Sequence, residues 1–163
     1  MTQKSHKSEE RIALFAGSFD PFTIGHASIV ERALSLFDRI IIAVGVNANK
    51  AGETSADERQ KAIRDIYSNI PERVSVESYS DELTVDLAQR VGAKWLLRGV
   101  RSVKDFEYER EIADINRQLS GLETVILLTL PEHGAVSSSV VRELRSYGRD
   151  VSHFLPAKYI PLD

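Results

Sequence analysis

The chain contains no cysteine. A disulfide framework and a cysteine-based metal centre are both excluded, and the composition fits a reducing compartment. No apolar run is long enough to span a membrane. Residues 1–10, MTQKSHKSEE, lack the apolar core of a signal peptide and read as a polar, disordered leader, so a soluble cytoplasmic protein is expected. Positive charge is not in excess either. With 21 basic residues against 24 acidic ones, for a net charge of −3, there is no global electrostatic case for nucleic acid, and no membrane partner is expected. His6, His26, His133 and His153 are scattered, no cluster has the spacing of a protein metal cage, and no metal ligands are assigned. Internal repeats and low-complexity segments are absent.

What remains is a chain of 163 residues, 42% hydrophobic, long enough for one well-cored domain and too short for two comfortable ones; that domain is placed at residues 11–163. It is organised around residues 11–37, RIALFAGSFDPFTIGHASIVERALSLF. The apolar run up to Ala16 meets Gly17 and reads as a buried strand, after which Ile29, Val30, Ala33, Leu34 and Phe37 recur at the spacing of one helical face. Thr23, Gly25 and His26 therefore fall at a helix N-terminus. Free backbone N–H groups and the positive end of the helix dipole suit an anion there, Gly25 keeps the approach open, and His26 adds a donor.

Further along, residues 39–46 form a β-branched run that reads as a second strand, opening into a polar loop over 47–54 that carries Lys50. Ser55 and Glu58 have capping-box spacing and open a helix whose apolar face is Ala62, Ile63, Ile66, Tyr67 and Ile70, ended by Pro71. Strands are expected at 74–79, 94–97 and 124–130, a short helix at 84–91 stopped by Gly92, and a long helix from about 103 to 119 stopped by Gly121. Residues 98–101, RGVR, read as a second glycine turn, and residues 131–139 lead into a last helix ending near Gly148. The tail, 150–163, is expected to form one turn that packs on the body. This alternation predicts an α/β fold, a Rossmann-like doubly wound five-stranded parallel sheet of order 3-2-1-4-5. In that order the first and fourth strands flank the point where strand order reverses, so Ser18, His26, Arg98 and Arg101 should share one crevice despite their separation in sequence.

The tetrad TIGH, preceded by GSFDP, resembles the (His/Thr)-x-Gly-His signature of the nucleotidylyltransferase superfamily. RGVRSVKDFEYE (98–109) followed by IADIN (112–116) is very similar to the block that distinguishes the phosphopantetheine adenylyltransferase family, and VSSSVVR (136–142) resembles the superfamily's second nucleotide-binding element. With the DVSHFLP tail the likeness covers nearly the whole chain from residue 11 to 156.

The resemblance implies direct in-line adenylyl transfer from ATP to 4′-phosphopantetheine, giving dephospho-coenzyme A and pyrophosphate. Mg²⁺ arriving with ATP, a homohexamer and feedback inhibition by coenzyme A belong to the same implication. It makes His26 the transition-state stabiliser and assigns the attacking phosphate to Ser18, which stands where Thr is usual, with Lys50 and Arg98; Thr84 touches the pantetheine arm. On the nucleotide side it places Ser18, Phe19 and His26, then Gly99, Val100, Arg101 and Glu109. His133, Gly134, Ala135 and Val136 complete that side with Ser137, Ser138 and Ser139, although His133 and Gly134 depart from a family pattern in which a bulky aromatic is common. Such a reaction asks for positioning and charge neutralisation rather than a protein nucleophile. The rival readings are another small-molecule transferase of the superfamily, which should lack the RGVR-to-FEYE block, and a non-catalytic nucleotide-binding or flavodoxin-like module.

Overall fold

A computed structural model describes residues 9–46 and 54–161. Its five strands are β1 (Ile12–Gly17), β2 (Arg39–Gly45), β3 (Val74–Tyr79), β4 (Trp95–Val100) and β5 (Glu123–Leu128). All pair in parallel in the order β3-β2-β1-β4-β5, the expected topology. The helices are α1 (Ile24–Ala33), α2 (Ala56–Ile66), α3 (Thr84–Arg90), α4 (Val103–Ser120) and α5 (Ser138–Ser146), with 3-10 turns at Pro131–His133 and Ser152–Phe154.

The central strands are apolar along most of their length, Arg39 and Arg98 being the exceptions, because both faces of the sheet are covered. On one face Phe15, Ile40, Ile42, Val44 and Leu97 pack with Ile29, Val30 and Ala33 of α1 and Ile63 of α2. On the other, Leu14, Ala16, Ile41, Ala43 and Leu96 meet Val85, Leu87 and Ala88 of α3. Local signals agree with this packing at the helix ends. Ser55 and Glu58 form the capping box of α2, and Gly121 ends α4 in the left-handed conformation with φ 75°. Two helices are shorter than their apolar periodicity suggests. α1 stops at Ala33 and α2 at Ile66, yet Phe37, Tyr67 and Ile70 reach the core through the turns that follow.

One expectation needs correction. Residues 98–101 are not a glycine turn after a strand at 94–97, since β4 continues through Arg98, Gly99 and Val100, paired with Ile126, Leu127 and Leu128 of β5. Gly99 sits in this strand because α1 lies against it: a Cβ there would be 2.9 Å from Cγ1 of Ile29. β5 in turn ends at Leu128, two residues before the expected boundary.

The β1–β4 ladder consists of the pairs Ala13–Trp95 and Leu14–Leu96 alone, although both strands run on. Their carboxyl halves are therefore free to part at the point where strand order reverses, and a crevice opens there. The Gly99 contact makes the spacing of α1 and β4 measurable. Gly99→Ala should destabilise the fold by about 1–3 kcal/mol, read from the denaturation midpoint, and Ile29→Ala should absorb part of that loss, so the double variant falls short of additivity.

Candidate active site

The crevice is built on the loop between β1 and α1. Thr23 caps α1, and the third helical residue, where Glu or Gln usually completes a capping box, is His26. The Thr23 backbone N–H donates to His26 Nδ1 at 3.0 Å, Thr23 Oγ1 lies 3.1 Å from the same atom, and the His26 N–H returns to Thr23 Oγ1 at 3.5 Å. A ring nitrogen that accepts from a backbone N–H carries no proton, so the tautomer is fixed with its proton on Nε2. Phe22 stacks on the ring with centroids 5.4 Å apart, and Phe19 meets it edge-on at 5.0 Å. Burial first, then the nearby Arg98 and Arg101 cations, lower the His26 pKa to about 4. At neutral pH the group is an uncharged N–H donor at a helix N-terminus.

The backbone of the same loop is held from outside. Arg98 Nη1 donates to the Ala16 carbonyl at 2.6 Å, supplying a partner beyond the point where the β1–β4 ladder stops. Arg59 of α2 donates through Nη1 to the Ser18 carbonyl and, at 3.3 Å, to that of Gly45. From α5, Arg142 Nη1 donates to the Asp20 carbonyl at 2.6 Å and Ser138 Oγ to that of Pro21 at 2.8 Å. The backbone N–H groups of Ser18 and Phe19 make no hydrogen bond among the described residues, and Phe19 takes a left-handed φ of 48°.

Arg98 and Glu109 form a two-point ion pair, Nε to Oε2 at 2.8 Å and Nη2 to Oε1 at 2.6 Å, with Glu109 only 7% exposed. The carboxylate grips the side of the guanidinium, so part of its outer edge stays available to a second anion. Arg101 pairs with Asp105 at 3.2 Å. Opposite, Ser137 caps α5 by accepting from the Val140 N–H at 3.2 Å, and Ser139 Oγ accepts from Arg142 Nη2 at 3.3 Å.

Two cavities meet here. The first, of about 360 Å³, is lined by Ser18, Phe19, His26, Gly99 and Arg101 and by Val136, Ser137, Ser138 and Ser139 of the last helix entry. The second, of about 490 Å³, lies over β3, α3 and α4 and includes Tyr79, Thr84 and Asn116. Their common wall is Ala16, Gly17, Ser18, Arg98, Tyr108 and Glu109.

Most of the residues singled out from the sequence thus converge. Val100 is buried at the end of β4, and it lines neither cavity; nor do His133, Gly134 and Ala135. His133 lies behind Gly25, where an added Cβ would stand 4.0 Å from its own, and its Nδ1 is buried with no partner among the described residues. Lys50 lies outside the described residues. Sequence reasoning missed Arg59, which looks like one more polar residue of an amphipathic helix, and the lining residues Tyr108 and Thr129. For His26 a signal existed: Thr followed three residues later by an acceptor-bearing side chain.

A glycine-lined strand-to-helix loop at the switch point, a helix N-terminus with a neutral donor, and a second cavity across an arginine define a nucleotide-handling transferase site of the α/β class. Residues 14–144 match the model of the family described as Cytidylyltransferase-like. The chain is 54% identical over 146 residues to the phosphopantetheine adenylyltransferase of Bacteroides thetaiotaomicron, covering 90% of this chain and 95% of that one. It is 55% identical over 152 residues to that of Porphyromonas gingivalis, covering 93% and 98%. Among solved structures, a bifunctional NMN adenylyltransferase/ADP ribose pyrophosphatase from Francisella tularensis, complexed with AMP and an Mn ion, superposes with a TM-score of 0.66 at 13% identity, over 90% of this chain and 44% of that one. That likeness concerns the fold. The chain belongs to the phosphopantetheine adenylyltransferases, within the cytidylyltransferase-like family.

The His26 environment sets a pH dependence. Its folded pKa lies below the ordinary 6.5, so the unfolded chain binds more protons between pH 6.5 and about 4, and this group's share of stability is complete above 6.5 and drains as pH falls toward 4. In an NMR titration the His26 ring resonances should hold their neutral position through pH 6 and move only near 4; a midpoint at 6.5 would show that the cap does not hold the ring.

Proposed function

We propose that the two cavities seat ATP and 4′-phosphopantetheine, and that adenylyl transfer occurs at the wall between them. The observation that carries this reading is the wall itself. A two-substrate transfer needs two pockets that meet at one point, and these meet at Ser18 and Arg98. In the step, an oxygen of the phosphopantetheine phosphate attacks the α-phosphorus of ATP in line, the new P–O bond forms as the bond to the bridging oxygen breaks, and pyrophosphate leaves with that electron pair. The nucleophile is already an anion at neutral pH, so no general base or covalent enzyme intermediate is required.

We assign the residue roles from position and charge, and those of Lys50 and Val100 from the family resemblance. His26 donates from Nε2 to the α-phosphate as negative charge builds there, and being neutral in the unliganded site it needs no proton exchange first. Arg98, gripped by Glu109, and Ser18 orient the incoming phosphate, with Lys50 as a further cation. Thr84 lies along the second cavity beside the pantetheine arm. Phe19, the Gly99 and Val100 backbone and Arg101 serve the nucleotide, and the opening of α5 at Ser137, Ser138 and Ser139 receives its outer phosphates. Val136 borders the adenine end, with His133, Gly134 and Ala135 of the segment before it behind the cavity wall. MgATP is the substrate form, its ion held chiefly by the phosphate oxygens, which leaves few ligands for the protein to supply.

The same reading includes a cytoplasmic homohexamer inhibited by coenzyme A. Support for an assembly comes from the exposed apolar side chains of Phe106, Ile112, Ile115 and Leu119 along α4 and of Leu128 at the sheet edge.

Pyrophosphate release from MgATP should require 4′-phosphopantetheine and stay at background with nicotinamide mononucleotide; the opposite preference would move the chain to another branch of the family. His26→Ala should lower kcat by about a hundredfold or more and leave the KM for ATP within a few-fold. Loss of ATP affinity with turnover retained would make His26 a ground-state ligand instead.

A further inference from the structure

Arg59 lies outside both cavities, yet it is tied to the loop that lines them. It projects from the first turns of α2, an element anchored by the Ser55–Glu58 capping box, and Thr54 just before it donates to Asp20 Oδ1 at 2.9 Å. Through Nη1 it donates to the carbonyls of Ser18 and Gly45, so one guanidinium nitrogen straddles the carboxyl ends of β1 and β2. It has no acidic partner within ion-pair distance among the described residues. Its Nε is buried with no hydrogen-bond partner among the described residues.

As a device for stability this is poor. A buried N–H left unpaired costs free energy. The arrangement makes sense for what it does to the next peptide. The Ser18–Phe19 bond is trans, and in a trans peptide the C=O and N–H point in opposite directions. With the Ser18 carbonyl turned to Arg59 of α2, the Phe19 N–H points the opposite way, from a residue that lines the first cavity, and it has no partner among the described residues. The left-handed φ of 48° at Phe19 is the conformation such a turned peptide demands of a residue that is not glycine. Arg98 and Arg142 act in the same sense on the carbonyls of Ala16 and Asp20, but Arg98 also faces the substrates.

We propose that Arg59 is a positioning residue for adenylyl transfer: by holding the Ser18 carbonyl it fixes the Ser18–Phe19 peptide with its N–H directed at a phosphate, and it adds a positive charge behind that donor. The inference rests on the proposed reaction. Arg59 touches no substrate, so its removal acts on alignment in the transition state rather than on occupancy.

The test uses the full chain with Arg59→Gln and Arg59→Lys, beside the parent enzyme. Arg59→Gln should lower kcat about tenfold to a hundredfold, the range for a hydrogen bond to a charged group, while the KM values for ATP and 4′-phosphopantetheine move less than about threefold. Arg59→Lys, which keeps the charge and a donor, should recover at least about threefold of that loss. In the parent, the Phe19 amide resonance should shift on adding inorganic pyrophosphate, and in Arg59→Gln that shift should disappear. This last readout needs only an anion, so it separates failure of the inference from failure of the reaction assignment, which would show as a parent enzyme inactive with 4′-phosphopantetheine. Parental kcat in Arg59→Gln would overturn the proposal. So would a kcat loss matched by both KM values, a Phe19 shift unchanged by the substitution, or a Lys variant no better than Gln.

Discussion

Everything at this site depends on which way a few backbone carbonyls face. In the six residues from Ala16 to Pro21, four carbonyls are turned outward onto side chains of three other elements: Arg98 of β4, Arg59 of α2, and Arg142 and Ser138 of α5. Loops normally satisfy such groups with water or with their own turns. Here they are satisfied by the scaffold, which leaves the amide side of the loop for a ligand and makes its shape a property of the whole domain. The early end of the β1–β4 ladder belongs to the same arrangement, since it frees the Ala16 carbonyl for Arg98 and opens the floor of the crevice.

The electrostatics are more balanced than a count of basic residues suggests. Arg98 is neutralised by Glu109 and Arg101 by Asp105, so the crevice does not carry the repulsion of bare cations. His26 completes the balance from the other direction. Burial, and then the two arginines, keep it uncharged, while the Thr23 cap keeps its remaining proton on the nitrogen away from the backbone. In the proposed reaction, two phosphates that repel each other would be met by fixed dipoles and half-compensated charges whose orientation is set before they arrive, which is the condition for electrostatic stabilisation without reorganisation.

Much of this was legible in the residues. The parallel sheet and its order followed from alternating apolar runs, and the joint placement of Ser18, His26, Arg98 and Arg101 followed from that order. What could not be read was tertiary in origin. β4 runs through Gly99 because Ile29 packs on it, and a glycine in a strand is indistinguishable in sequence from a glycine in a turn. The apolar periodicity of α1 and α2 overran their ends because turn residues such as Phe37 and Ile70 are buried too. Glu109 has the spacing of a helix-surface residue, and only the fold brings Arg98 to it. Arg59 carries no pattern at all, since its partners are carbonyls, which sequence does not distinguish.

The wall shared by the two cavities has a consequence for ligands that are neither substrate. On the proposed reading the first cavity takes a nucleotide, and a compound filling that cavity alone competes for a chemistry common to many proteins. A compound that crosses Arg98 and Tyr108 into the space beside Thr84 and Asn116 would bind its second half as an intramolecular event. Its gain would come from effective concentration rather than from tighter contacts in either half, and would depend on a linker short enough to follow that wall. Selectivity in this family would then reside in the span between the pockets more than in the pockets themselves.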